Sequence, residues 1–150
     1  FFGNHLYGRG LGRAIGKARL ASALAMTMSA GLETGESLKM AEKIVTNRAL
    51  LQKIAKCRDE IKKGITPGTA IADAGIFSAL HTQMLAIGFR TGSSDTVMDE
   101  IARRCEEDVA ERTERALSRI EPTLVIIMSL VVGIILISVM LPLMTIMSAL

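Results

Sequence analysis

The sequence predicts an all-α protein, a six-helix bundle followed by one C-terminal transmembrane helix that is continuous with the last bundle helix. Residues 122–150 contain no charged residue, and 13 of the 18 residues from Leu124 to Leu141 are Leu, Ile or Val. All 18 Lys and Arg and all 15 Asp and Glu precede Pro122. The chain has no Trp, one Tyr and four Phe, so its core must be built from aliphatic side chains and Met. This composition favours helices, because β-rich domains favour aromatic and β-branched residues.

The apolar run is long enough to cross a bilayer, which takes about 20 apolar residues. Each Leu, Ile or Val near its centre favours insertion by about 0.3 to 0.6 kcal/mol, and no charge opposes them. A core helix of a soluble protein would need apolar partners on all sides, and the remaining residues are too few and too charged to supply them. Residues 122–150 are therefore predicted to form a transmembrane helix and a short tail. The position of the run excludes a secretory signal.

Residues 1–16 are predicted to be a basic, Gly-rich leader. They hold five of the 13 glycines and should not form a stable helix throughout. Only basic charges occur before Glu33, which suits either a chain that has just left the bilayer or a solvated linker. Because the first residue is Phe rather than Met, we expect the chain to be the end of a longer polypeptide.

The soluble domain is predicted over residues 17–121, and its first two helices follow from the spacing of apolar residues. The first helix covers residues 17–30, and Gly31 can end it in the left-handed conformation. Its inward stripe is formed by Leu20, Leu24, Thr27 and Met28. The second helix covers residues 36–45, with an inward face of Leu38, Ala41, Ile44 and Val45.

Asn47 is predicted to be the N-cap of the third helix, which Gly64 ends. Its inward stripe is Leu50, Ile54, Cys57 and Ile61. Packing explains Cys57 better than reactivity does, and with Cys105 it is expected to be a reduced thiol, a disulfide being the alternative. Pro67 and Gly68 are predicted to form a turn before a short fourth helix over residues 69–74.

Ser78 is predicted to cap the fifth helix, in which Leu80, Met84 and Ile87 share a face before Gly88. A loop over residues 88–94 then leads to the last helix, which starts at Asp95. Acids precede bases by four residues in this helix, as in Glu100–Arg104, and such pairs stabilise a helix by about 0.2–0.5 kcal/mol each. Its inward stripe is Met98, Ile101, Cys105, Val109, Ala116 and Ile120.

Glu121 and Pro122 are predicted to be a hinge, because Pro122 cannot donate the backbone hydrogen bond to Ser118. Arg112, Arg115 and Arg119 precede the span and no charge follows it, which places the bundle in the cytoplasm. Within the span, Ser129 and Gly133 form a small-xxx-small pair that would let a second helix approach closely.

The sequence lacks the patterns of the common catalytic and cofactor sites. Gly16-Lys17 is not followed by Ser or Thr, so no phosphate-binding loop forms, and Ile15 stands where a dinucleotide fingerprint needs its third glycine. No Cys/His cluster has metal spacing, and His81 is expected to be a surface or core histidine. The net charge of +3 without interleaved aromatics does not indicate nucleic acid. We therefore predict no enzyme activity, cofactor, metal or catalytic residue.

Three stretches, residues 29–50, 75–109 and 119–143, resemble the F-type inner-membrane platform proteins of type II secretion and type IV pilus machines. The similarity includes the Asn-Arg-Ala-Leu helix start at Asn47, the Gly-x-x-Thr-Gly turn from Gly88 to Gly92, and the Glu121-Pro122 pair. The family commonly has Glu after the first glycine of that turn, whereas this chain has Phe89.

The resemblance implies the second cytoplasmic domain and the last span of a non-enzymatic inner-membrane platform. The partners it implies are a hexameric assembly ATPase, pilin or pseudopilin subunits and membrane lipid, and the chain is expected to form a homo-oligomer. The candidate ATPase-facing residues are Gly88, Arg90, Gly92, Arg103 and Arg104. The alternative is a tail-anchored regulatory or sensory helical module unrelated to pili.

Overall fold

The computed structural model describes residues 2–150, with side chains described from Gly8 onward. The described residues form six helices and no strand. The all-α prediction is thus confirmed, including the continuation of the last bundle helix into the apolar run. The helices are α1 (Phe2–Ser29), α2 (Thr34–Glu42), α3 (Arg48–Lys62), α4 (Pro67–Ala74), α5 (Ala79–Thr91) and α6 (Ser94–Ala149).

The chain divides into two compact units, a soluble unit that ends at Glu111 and an apolar unit over Arg112–Leu150. The soluble unit contains an aliphatic core, as the composition predicts, and an ion pair of 2.7 Å from Arg58 of α3 to Glu42 of α2. Its largest fully buried side chains are Leu20, Leu24, Leu38, Ile54, Ile71, Ile76, Leu85, Met98 and Ile101.

The prediction that residues 1–16 are not helical throughout is wrong, because α1 begins at Phe2. Each glycine costs a helix about 1 kcal/mol, but packing offsets this cost where the helix meets its neighbours. Gly16 is buried, and a β-carbon added there would lie 3.3 Å from Cδ2 of Leu50 on α3. The absence of a side chain at Gly16 therefore lets α1 approach α3 closely.

The predicted N-caps are confirmed. The side-chain oxygen of Asn47 accepts hydrogen bonds from the backbone N–H groups of Ala49 and Leu50, at 3.0 and 3.2 Å. The hydroxyl of Ser78 accepts one from the backbone N–H of His81 at 3.4 Å. These side chains satisfy donors that the first helical turn leaves without an intrahelical partner.

Several predicted boundaries shift. Helix α2 ends at Glu42, and the side chain of Ile44, predicted to face inward, is 47% exposed. Pro67 is the first residue of α4 rather than part of a turn, a position where its missing N–H costs nothing. In α5 the predicted face is wrong, since Leu80 and Ile87 are 59% and 61% exposed. The residues of α5 that are buried are Leu85 and Gly88.

Candidate functional site

Gly88 lies inside α5 rather than in the predicted loop. The residue is buried against the start of α6. A β-carbon added there would lie 2.9 Å from Cγ2 of Val97 and 3.2 Å from the Cα of Ser94. Gly88 is thus a packing residue that allows α5 and α6 to approach, and it presents no surface for a partner.

The end of α5 is at Gly92, which has a φ of 75°. This left-handed conformation is accessible to glycine at little cost and lets the N–H of Gly92 bond back to the carbonyl of Gly88. The N–H of Ser93 bonds to the same carbonyl at 2.9 Å, and the hydroxyls of Thr91 and Ser93 lie 2.8 Å apart. The Gly-Phe-Arg-Thr-Gly motif is therefore the last turn of a helix and its cap, exposed at Gly92.

Phe89 and Arg90 follow Gly88 but differ in environment. Phe89 is half-buried, and a β-carbon added at Gly68 of α4 would lie 3.1 Å from its Cδ2 atom. Arg90 is exposed. The aromatic ring at position 89 thus packs on the first turn of α4, where a carboxylate would be desolvated, and the surface charge of this motif comes from Arg90.

Arg103 and Arg104 lie on an exposed face of α6 and share Glu100 as a partner. Arg103 donates to Glu100 at 2.7 Å and to Glu107 at 2.6 Å, and Arg104 donates to Glu100 at 3.0 Å. Hydrogen bonds from Arg103 and then Arg104 lower the pKa of the Glu100 carboxyl from 4.5 to about 2. The predicted Glu100–Arg104 pair is present, and Arg103 pairs with both Glu100 and Glu107.

Within the apolar unit, Ser129 and Gly133 lie on α6, where Ser129 is exposed and Gly133 is partly exposed. The hydroxyl of Ser129 donates to the backbone carbonyl of Val125 at 2.8 Å. No described atom of another part of the chain comes within 4 Å of a β-carbon added at Gly133. Glu121 and Pro122 are exposed and helical, so the helix continues through the predicted hinge.

Two concavities of the soluble unit were not predicted. A groove of about 530 Å³ between α1, α2 and α6 is lined mainly by apolar residues, including the exposed Met26 and Met40. A smaller pocket of about 180 Å³ is lined by residues of α1 and α6 and by the start of α5. Helical periodicity identifies one face at a time, so a concavity assembled from three helices leaves no pattern in the sequence.

The apolar part of α6 is long and apolar enough to cross a membrane. None of the residues in its most apolar 18-residue stretch is buried. A core helix of a soluble protein would be mostly buried, so the exposed surface favours a span. In the part of the chain that the structure describes, no cluster of three or more His, Cys, Asp or Glu could hold a metal. The fold is therefore a helical bundle whose last helix, α6, continues into an apolar segment long enough to span a membrane.

The chain belongs to the family described as Type II secretion system (T2SS), protein F, whose family model matches residues 20–142. It is 29% identical over 140 residues to the Type II secretion system protein F of Pseudomonas aeruginosa, covering 93% of this chain and 34% of that protein. It is 28% identical over 130 residues to the Type IV pilus assembly protein PilC of Myxococcus xanthus, covering 87% and 31%.

The PilC of Thermus thermophilus is 28% identical to this chain over 134 residues, covering 89% of this chain and 33% of that protein. The chain thus spans about a third of the length of the curated relatives that it matches. The resemblance inferred from the three sequence stretches is confirmed at the level of the family.

Proposed function

We propose that this chain is the C-terminal part of an inner-membrane platform that couples a cytoplasmic assembly ATPase to the movement of pilin or pseudopilin subunits. The observation that supports this most is α6, a single helix from Ser94 to Ala149 that contains both core residues of the soluble unit and the apolar run. A helix is a stiff element, so a displacement at its soluble part can reach the bilayer. The platform domain, residues 17–121, binds its partners and catalyses no reaction itself.

The soluble domain lies in the cytoplasm in this proposal. Arginines are concentrated before the apolar run, at positions 112, 115 and 119, and no charged residue follows Glu121. An excess of Lys and Arg close to the end of a span marks its cytoplasmic side. The end of the chain would then lie on the opposite side of the inner membrane.

The ATPase would contact exposed basic residues on two helices, Arg90 next to the cap of α5 at Gly92, and Arg103 and Arg104 on α6. Gly88 contributes to this surface indirectly, because its packing against Val97 fixes the angle at which α5 meets α6. Charges of this kind speed association, and reversing them would place like charges opposite each other and weaken binding.

The pilin helices would pack on the small surface at Ser129 and Gly133. The Ser129 hydroxyl is already satisfied by the Val125 carbonyl, so it needs no partner across a helix interface. Close approach of two helices, rather than an interhelical hydrogen bond, would then stabilise the contact. The same surface is available to a second copy of the chain in a homo-oligomer.

A pull-down of the full chain in detergent with its cognate assembly ATPase tests the proposal. We expect binding in at least one nucleotide state and a loss of at least tenfold when Arg90 and Arg104 are both changed to Glu. The double change of Lys56 and Lys62 to Glu, two exposed lysines of α3, reverses the same number of charges; it is the matched control and should bind as the wild type does. Absence of binding in every nucleotide state, or an equal loss in the control, would argue against this function.

Membership of the protein F family leaves no observation in favour of the tail-anchored sensory module, which we do not retain.

A further inference from the structure

The pocket of about 180 Å³ in the soluble unit brings basic side chains from three helices together. Lys17 comes from α1, His81 from the first turn of α5, and Arg104 from α6. These residues lie 64 and 23 positions apart in the sequence, so only the fold assembles them. The other polar lining residues that matter here are Ser78, Cys105 and Asp108.

The three basic groups are close enough to influence one another. Burial lowers the pKa of His81 from its usual value of 6.5, and the positive charges of Arg104 and Lys17 lower it further. The lining contains the cations Lys17 and Arg104 and the carboxylate of Asp108. Arg104 is bonded to Glu100, and Asp108, which also lines the pocket, has interactions of its own. The pocket therefore concentrates more positive than negative charge.

The N-terminus of α5 adds to the positive electrostatic field of the pocket. Ser78 caps the helix, and its hydroxyl accepts from the backbone N–H of His81. The backbone N–H groups of Ala79 and Leu80 precede the first intrahelical bond, so the helix itself does not use them. The N-terminus of a helix carries a partial positive charge that favours anions.

We propose that this pocket binds a small tetrahedral oxyanion of the phosphate class, held by Lys17, His81 and Arg104. The pocket has room for such an ion, since its volume equals that of several water molecules at about 30 Å³ each. Arg and Lys are the side chains that most often bind phosphate groups, Arg through its planar fork and Lys through a point charge. The source could be free phosphate or the phosphate of a lipid headgroup. This inference does not depend on the proposed platform function.

The site would bind more tightly at lower pH. A bound anion raises the pKa of His81, because it opposes the burial and the repulsion that lower it, and by linkage protonation of His81 raises the anion affinity. The groups that face His81 from α1 and α6 are Lys17, Arg104, Asp108 and Cys105. Burial raises the pKa of the Cys105 thiol, so this thiol stays neutral in the pH range in which a histidine side chain titrates.

The experiment follows the histidine carbon signals by NMR in the full chain, labelled at histidine and reconstituted in nanodiscs of neutral phosphatidylcholine. Sulfate serves as the main probe, because its charge does not change over this pH range, and inorganic phosphate is the second. We expect saturating sulfate to raise the pKa of His81 by about one unit. His5, the only other histidine in the sequence, should not shift with it and serves as the internal reference.

Lys17→Gln should weaken sulfate binding at least fivefold, whereas Lys17→Arg, which keeps the charge, should restore most of it. Lys56→Gln, an exposed lysine on α3 with the same loss of charge, should bind sulfate as the wild type does. A shift of His81 with inorganic anions supports a free ligand. A shift only in nanodiscs that contain phosphatidic acid supports a lipid headgroup. No shift in either arm, equal shifts of His81 and His5, or equal affinities of Lys17→Gln and Lys56→Gln would overturn the proposal.

Discussion

Replacing Gly88 by alanine tests whether the contact between α5 and α6 depends on the missing side chain. The added methyl group would lie 2.9 Å from Cγ2 of Val97 and 3.2 Å from the Cα of Ser94. Both distances are well inside ordinary carbon–carbon contact of about 3.5–4.0 Å. Val97 is β-branched and therefore stiff at χ1, and Ser94 contributes a backbone atom, so neither can move away cheaply.

Two opposing effects determine the size of the change. Alanine is favoured over glycine inside a helix by about 1 kcal/mol, whereas overpacking of this kind costs about 1–3 kcal/mol. A control removes the first effect: Gly12→Ala changes a glycine inside α1 that has no described atom of another part of the chain within 4 Å of the new methyl group. The difference between the two variants therefore measures the clash, and we expect Gly88→Ala to be less stable than Gly12→Ala by about 1–3 kcal/mol.

The assay is thermal unfolding of the full chain in mild detergent, followed by far-ultraviolet circular dichroism. For a soluble unit of this size, 1 kcal/mol corresponds to about 4 °C in Tm, so the two variants should differ by about 4–12 °C. Gly12→Ala should have a Tm equal to or above that of the wild type. If Gly88→Ala proves as stable as Gly12→Ala, helix propensity alone governs position 88 and the proposed close packing is wrong.

Three further predictions follow from the soluble unit. Asn47→Ala should lower the free energy of unfolding by about 1 kcal/mol in urea titrations, because α3 loses its cap. Asn47→Asp, which can still cap the helix, should retain most of the wild-type stability. Iodoacetamide at pH 8 should alkylate Cys57 at least about 100-fold more slowly in the native chain than in urea, judged by mass spectrometry, since burial raises the pKa of this thiol from 9.0 to about 11; equal rates would contradict this. The ionised carboxylate of Glu100 is stabilised by its arginine partners in the folded state, which lowers its pKa from 4.5 to about 2. This stabilisation of the fold is fully present above pH 4.5 and is lost as the pH falls from about 4.5 to about 2. The Tm difference between the wild type and Glu100→Gln should therefore vanish near pH 2 and shrink in high salt, as expected for an exposed pair.

Capping residues and the apolar run could be predicted from the sequence because their signals are local. Asn47 and Ser78 satisfy backbone donors two or three residues away, and the span needs only an unbroken apolar stretch. The inward face of α5 could not be predicted in the same way. Leu80 and Ile87 have the right spacing for a buried stripe, but the neighbouring helices cover Leu85 and Gly88 instead.

The glycines gave the least reliable signal. Glycine-rich composition predicted a non-helical leader, but α1 extends through that segment and buries Gly16 against Leu50. At Gly88 the same residue type lies inside a helix contact, and at Gly92 it forms a left-handed cap. A sequence shows only that a side chain is missing at these three positions. Whether the glycine allows two helices to pack closely or allows a left-handed turn depends on its neighbours in the fold. For the same reason the residues of the basic pocket could not be grouped before the fold was known.

In the apolar unit, the side-chain hydroxyl groups form hydrogen bonds within the helix itself. The hydroxyls of Thr123, Ser129, Ser138 and Thr145 each donate to the backbone carbonyl four residues earlier, at 2.8–3.0 Å. In hydrocarbon an unpaired hydroxyl would cost several kcal/mol, so these bonds allow α6 to cross the bilayer without a partner. The bond from Thr123 to the Arg119 carbonyl lies one residue beyond Pro122, which has no N–H to donate to Ser118. Such side-chain bonds bend helices and also supply donors next to a proline. The interval from residue 118 to residue 123 is therefore, with the turn around Pro142, a part of this unit where the helix can change its curvature at low cost.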